Sequence, residues 1–155
     1  VMLMQITSLQ MRTDHHPMGH ISIVFSSHTF GMFAFSIFSG QLIDRWGKRP
    51  MLILGSVILL AACLSAPLSS NVFPIAVALF LLGLGWNFCF VSGSAMLSSA
   101  LTLQEKSKTQ GLNDLLIGLT AATGSYVGGP LFASYGYTVI GLIGAGFSVV
   151  LMMLV

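Results

Sequence analysis

Apolar residues run along this chain in long blocks, and short polar clusters separate the blocks. Six hydrophobic stretches stand out, at 1–11, 21–43, 51–66, 72–100, 111–134 and 138–155. From Pro50 to Gln104 there is no Asp, Glu, Lys or Arg. A bilayer crossing takes about 20 residues, so this run is too long for one helix and suits two. The break between them is legible at Pro67-Leu-Ser-Ser-Asn71 and Pro74. Backbone groups in lipid must be satisfied within their own segment, and these stretches are too long and continuous to be barrel strands. The pattern predicts an all-α membrane protein of six helices with the first and last truncated. The opening stretch lacks the basic region and cleavage site of a signal peptide and reads as the tail of a cut helix; the last stops mid-run at Leu154-Val155.

Composition strengthens this reading. The chain is 55% hydrophobic and 6% charged, with a mean hydropathy of +0.91, whereas soluble domains carry about a quarter charged residues. Its net charge of +2 resides in short connections and not on a continuous face, so no nucleic-acid partner is implied. Where the basic residues fall sets the orientation, because cytoplasmic loops are enriched in Lys and Arg. Arg45, Lys48 and Arg49 lie in the 44–50 loop, and Lys106 and Lys108 in the 101–110 loop. The 67–71 and 135–137 connections hold none, and in the 12–20 connection Arg12 is offset by Asp14. The 44–50 and 101–110 loops are therefore expected in the cytoplasm. Cys63 and Cys89 both fall inside hydrophobic stretches, as ordinary buried thiols.

Basic topology alone does not account for "SGQLIDRWGKRP", residues 39–50, which also keeps an acid at a helix end and sets glycines at 40 and 47. The pattern Gly40-x-x-x-Asp44-Arg45-x-Gly47-Lys48-Arg49 resembles the signature loop of the major facilitator superfamily, which joins the second and third helices of each six-helix half. "LLGLGWNFCFVSGSAML" and "KTQGLNDLLIGL" are similar to the C-terminal half of drug-efflux-like members. Two features favour that half: the 72–100 stretch has no internal basic residue, and residues 128–130 read Gly-Gly-Pro. The resemblance implies a secondary transporter of a small organic solute, working by alternating access and driven by protons in the efflux direction. It implies the plasma (inner) membrane and an N-terminal six-helix half of the same chain as partner. Gly40, Asp44, Arg45, Gly47, Lys48, Arg49 and, at the start of the 111–134 helix, Asp114 would then form the cytoplasmic gate. A carboxylate among helix N-termini and guanidinium groups is favoured on general grounds, by up to about 2 kcal/mol when partly buried.

At about 100° per residue, Ser22, Ser26, Thr29, Ser36 and Gly40 share one stripe, suited either to helix packing or to a wet path. Gly83, Asn87, Ser94 and Ser98 share another, with Trp86 beside it. Asn87 and Trp86 are candidate solute-binding residues, since an amide at mid-span needs a polar partner and an aromatic ring offers a stacking surface; helix-packing polarity is the alternative. His28 is ionisable and well inside a span, which makes it a third candidate for solute or proton contact, beside a structural hydrogen bond. Gly111, Gly118, Ala122, Ser125 and Gly129 form a small-residue stripe on the 111–134 helix, with Gly124-x-x-x-Gly128 on another face, so two closely approached neighbours are expected. Asn113 and Asp114 read as caps or as a gate at that helix's start. His15-His16-x-x-x-His20 invites a metal reading, but Pro17 and Gly19 break any helical register, so no metal is expected. With no phosphate-cradling lysine loop, paired intramembrane carboxylates or nucleophile elbow, neither a cofactor nor enzymatic activity is implied. Competing readings are a six-helix homodimeric half-transporter or scaffold, and an intramembrane enzyme or metal handler using the histidines.

Overall fold

A computed structural model describes residues 2–155, and these are helical almost throughout. In chain order the elements are α1 (Met2–Thr13), α2 (Met18–Phe33), α3 (Ser36–Trp46), α4 (Lys48–Ser65), a 3-10 turn (Ala66–Leu68), α5 (Val72–Ser99) and α6 (Leu103–Met153). Three of the five prolines sit where a missing N–H costs little, whereas Pro130 lies inside α6, where it removes an intrahelical bond. Pro17 precedes α2 in extended geometry, and Pro50 and Pro74 fall in the first turns of α4 and α5, where backbone donors lack intrahelical partners anyway.

Several boundaries differ from those read from the hydrophobic pattern. The 21–43 stretch is two helices, α2 and α3, broken at Ala34 and Phe35. The 111–134 and 138–155 stretches are joined through Gly136, whose φ of 78° and ψ of −179° interrupt an otherwise continuous helix. A side chain is disfavoured at that φ, so the turn depends on glycine. The same is true of Gly47, at φ 91°, which ends α3 and begins α4. The 101–110 segment, expected as a loop, becomes helical from Leu103. A capping box starts it: the Glu105 carboxylate accepts from the Thr102 backbone N–H at 3.2 Å and from the Thr102 hydroxyl at 2.6 Å. Asp114 therefore lies in the helix interior, which corrects the capping role considered for it.

α5 is the central element, and two of its glycines fix its neighbours. Positions 83 and 85 are about 200° apart around a helix, so they face opposite ways. A Cβ at Gly83 would strike the His28 carbonyl oxygen of α2, and one at Gly31 would strike the Phe80 carbonyl oxygen of α5. On the other side a Cβ at Gly85 would lie 2.9 Å from the Gly55 carbonyl oxygen of α4, and one at Gly55 would lie 2.7 Å from Cys89 Sγ. The last arm of α6 packs on α4 in the same manner, with Gly141 and Gly144 against Cys63. Without a hydrophobic drive between helices in lipid, such close backbone approach supplies the dispersion contacts that hold the bundle. On the preceding arm of α6, Gly124 and Gly128 face Met2 and Ile6 of α1. On its other face Gly111, Gly118 and Gly129 have nothing within 4 Å of a built Cβ among the described residues.

Candidate functional site

Trp86 and Asn87 are adjacent in sequence but look in different directions. Asn87 is 2% exposed and fills the notch where α2 breaks into α3. Its amide Nδ2 donates to the Met32 carbonyl oxygen at 2.6 Å and to Ser36 Oγ at 3.0 Å. Its Oδ1 accepts from the Ser39 hydroxyl. Both amide hydrogens and the carbonyl oxygen are thus engaged by one neighbouring span, and Ser39 is itself fully buried. An aromatic cluster flanks the same break, with Phe35 edge-on to Phe30 at 6.3 Å and to Phe80 at 6.0 Å. His28, also buried, has Nδ1 2.9 Å from the Leu79 carbonyl oxygen, across the Gly31–Gly83 crossing.

Trp86 lies flat against Phe90, with ring centroids 4.7 Å apart and planes 9° from parallel. It lines a cavity of about 710 Å³ bounded by α1, α4, α5 and both arms of α6. The walls are mostly apolar, with Thr120, Thr123 and Ser148 supplying hydroxyls. Of the three residues singled out for solute binding, only Trp86 borders this cavity.

A second candidate surface follows α2. Ser22, Ser26 and Thr29 are exposed on one side of that helix. Ser22 and Ser8 border a groove of about 330 Å³ between α1 and α2, and a second groove, of about 680 Å³, continues from Phe25 past Ser26 and Thr29 to Phe33. Gln5, not singled out from the sequence, is exposed on α1. It lies seven residues before Arg12, about 10 Å deeper along the helix axis. Gln5, Leu9 and Arg12 stand in an i, i+4, i+7 relation on one face of α1.

At the end of the bundle where α3 meets α4, Asp44, Arg45 and Arg49 are exposed and Lys48 is half-buried. A Cβ at Gly40 would meet nothing within 4 Å among the described residues, so Gly40 is not a close-packing point against them. The same end of the bundle carries Gln110, whose amide donates to Asp114 Oδ1 at 3.2 Å and to Ser94 Oγ at 3.4 Å, tying α6 to α5. At the opposite end His16 Nε2 lies 2.8 Å from the Ser70 carbonyl oxygen, and the rings of His16 and His20 are tilted at 6.0 Å.

Among the described residues four segments are long and apolar enough to span a membrane, α2 with α3, α4 with its 3-10 turn, α5 and α6, and they define an integral membrane protein. Its buried Asn87 and His28, and the half-buried Ser27, bond from one helix to another beside the glycine crossings of α2 and α5. The chain belongs to the Major Facilitator Superfamily, whose family model matches residues 1–155. It is 36% identical over 154 residues to the uncharacterised MFS-type transporter YdeG of Bacillus subtilis, covering 97% of this chain and 36% of that protein. It is 36% identical over 125 residues to the riboflavin transporter RfnT of Brucella anthropi, covering 81% of this chain and 31% of the relative. Similarity to the multidrug resistance protein MdtL of Klebsiella pneumoniae is 33% identity over 95 residues, 59% of this chain and 24% of that protein. The chain thus spans about a third of the length of YdeG and of RfnT. No solved structure matches it significantly.

Proposed function

We propose that this chain is the C-terminal six-helix half of a secondary transporter in the plasma (inner) membrane, moving a small organic solute by alternating access in proton-coupled efflux. An N-terminal half of the same protein is its partner across the exposed faces of α1, α2 and the first arm of α6. One observation carries the solute assignment: Trp86, its ring stacked on Phe90, borders a cavity of about 710 Å³, large enough for a drug-sized molecule and lined mainly by apolar groups. A riboflavin transporter and a multidrug resistance protein among the relatives are in keeping with an organic solute that stacks on aromatic rings. In this reading Trp86 contacts the solute. Asn87 and His28, whose polar atoms already bond other helices, act as positioning residues that hold α2 and α3 against α5. The exposed Ser22, Ser26 and Thr29 line the hydrated path between the halves, because a run of hydroxyls is better placed facing water than lipid.

The cytoplasmic gate is assigned to Gly40, Asp44, Arg45, Gly47, Lys48, Arg49 and Asp114. Exposure leaves the Asp44 carboxylate free to engage helix ends or cations presented by the other half. The test uses the full-length protein in proteoliposomes, with and without a pH gradient. Trp86→Ala is expected to raise the solute KM by an order of magnitude with turnover less affected, and Asp44→Asn to slow turnover with KM little changed. Unaltered KM in the first and unaltered turnover in the second would overturn the two assignments separately.

A further inference from the structure

At the end of the bundle opposite the Asp44–Pro50 loop, three connections meet around a small polar cavity of about 260 Å³. Its lining includes Thr7, Gln10, Asp14, Ser69, Tyr137 and Thr138. It is separate from the Trp86 cavity, and the transport reading gives it no role.

Thr7 Oγ1 donates its single hydrogen to the Leu3 carbonyl oxygen at 2.7 Å. In the 2.6 Å contact between Thr7 and Tyr137, the phenol must therefore be the donor, which leaves the Tyr137 oxygen as an acceptor. The half-buried Asp14 carboxylate is held by an amide, with Gln10 Nε2 at 3.0 and 2.9 Å from its two oxygens. One amide nitrogen thus bridges both carboxylate oxygens without neutralising their charge, and Gln10 Oε1 has no hydrogen-bond partner among the described residues. Nearby Arg12 extends instead towards Met18, with Nη2 3.8 Å from Sδ. The lining thus offers several acceptors and carries one negative charge.

We propose that this cavity binds a small organic cation through a primary ammonium group. Such a group brings several N–H donors to a site that offers a carboxylate, a phenolic oxygen and an amide oxygen, and its single charge matches the single acid. The cavity volume admits a short alkyl substituent as well.

Methylammonium is the probe, measured by equilibrium dialysis of the radiolabelled ion against the full-length protein in detergent at constant ionic strength. Saturable binding is expected, with Asp14→Asn weakening it at least tenfold and Tyr137→Phe several-fold, while both variants keep the parent's elution volume and melting temperature. Choline, which lacks N–H donors, is expected to compete at least tenfold less well. Equal competition by choline, tighter competition by Na⁺ than by methylammonium, or undiminished binding in a folded Asp14→Asn variant would each overturn the proposal.

Discussion

Replacing Asn87 by Leu keeps the side-chain volume nearly constant and removes three hydrogen bonds at once, those to the Met32 carbonyl oxygen, to Ser36 and from Ser39. Interhelical side-chain bonds in membrane proteins contribute about 0.6 kcal/mol each on average and up to about 1.7. Leaving a buried polar group without a partner costs about 1–3 kcal/mol. Ser39 retains an acceptor in the Phe35 carbonyl oxygen at 2.9 Å, so its hydroxyl is not stranded. The substitution should then destabilise by about 2–4 kcal/mol, from the lost bonds together with a poorly paired Met32 carbonyl at the end of α2. Reversible unfolding in mixed micelles measures this, and a double-mutant cycle with Ser39→Ala isolates one bond, with an expected coupling of about 0.5–2 kcal/mol. Asn87→Leu within about 0.5 kcal/mol of the parent, the usual range for surface substitutions, would refute the view that this amide holds the α2–α3 break against α5. A solute-contacting Asn87 would instead show a raised KM with stability unchanged.

Two further outcomes follow from the packing and the cap. Gly83→Ala drives a methyl into the His28 carbonyl oxygen and should destabilise by about 1–3 kcal/mol in the same unfolding assay, whereas Gly93→Ala, with nothing within 4 Å, should be neutral or stabilising. Glu105 lies at the aqueous end of α6, outside the 111–134 hydrophobic stretch, and bonds from the Thr102 hydroxyl and backbone N–H hold its pKa below the ordinary 4.5. A depressed carboxylate stabilises the cap fully above its unfolded pKa and loses that contribution as pH falls through the folded value. NMR titration should therefore find Glu105 titrating below 4.5, and Thr102→Ala should return it towards that value.

Much of the architecture was legible because membrane burial imposes long apolar blocks, and glycine marks the places where the chain turns or helices touch. The turn at 135–137 and the Gly47 junction were both readable, since only glycine sits comfortably at those positive φ values. The break at Ala34 and Phe35 was not, because no Pro, Gly or polar cluster announces it; its support comes from Asn87, 52 positions later than Phe35 in the chain. The early start of α6 was hidden for a different reason. Lys106, Lys108 and Glu105 look like loop residues by hydropathy, yet Thr102 and Glu105 have the spacing of a capping box, and local hydrogen bonding overrides polarity at an aqueous helix end.

The candidate site shows why helical stripes alone could not sort binding from packing. Trp86 and Asn87 occupy neighbouring positions near the middle of α5, and both are residue types that either a solute or another helix could use. What separates them is the tertiary partner. Asn87 faces the break between α2 and α3, where backbone polarity needs an external bond, so its amide is used up there. Trp86, about 100° further round, faces the gap between α5 and the long last helix and keeps one ring face against Phe90. The same logic divides the serines: Ser39 and Ser56 point inward and are fully buried, while Ser22 and Ser26 are exposed. In a bundle built on glycine crossings, a polar side chain is therefore assigned by which crossing it meets, and those crossings depend on residues far away in sequence.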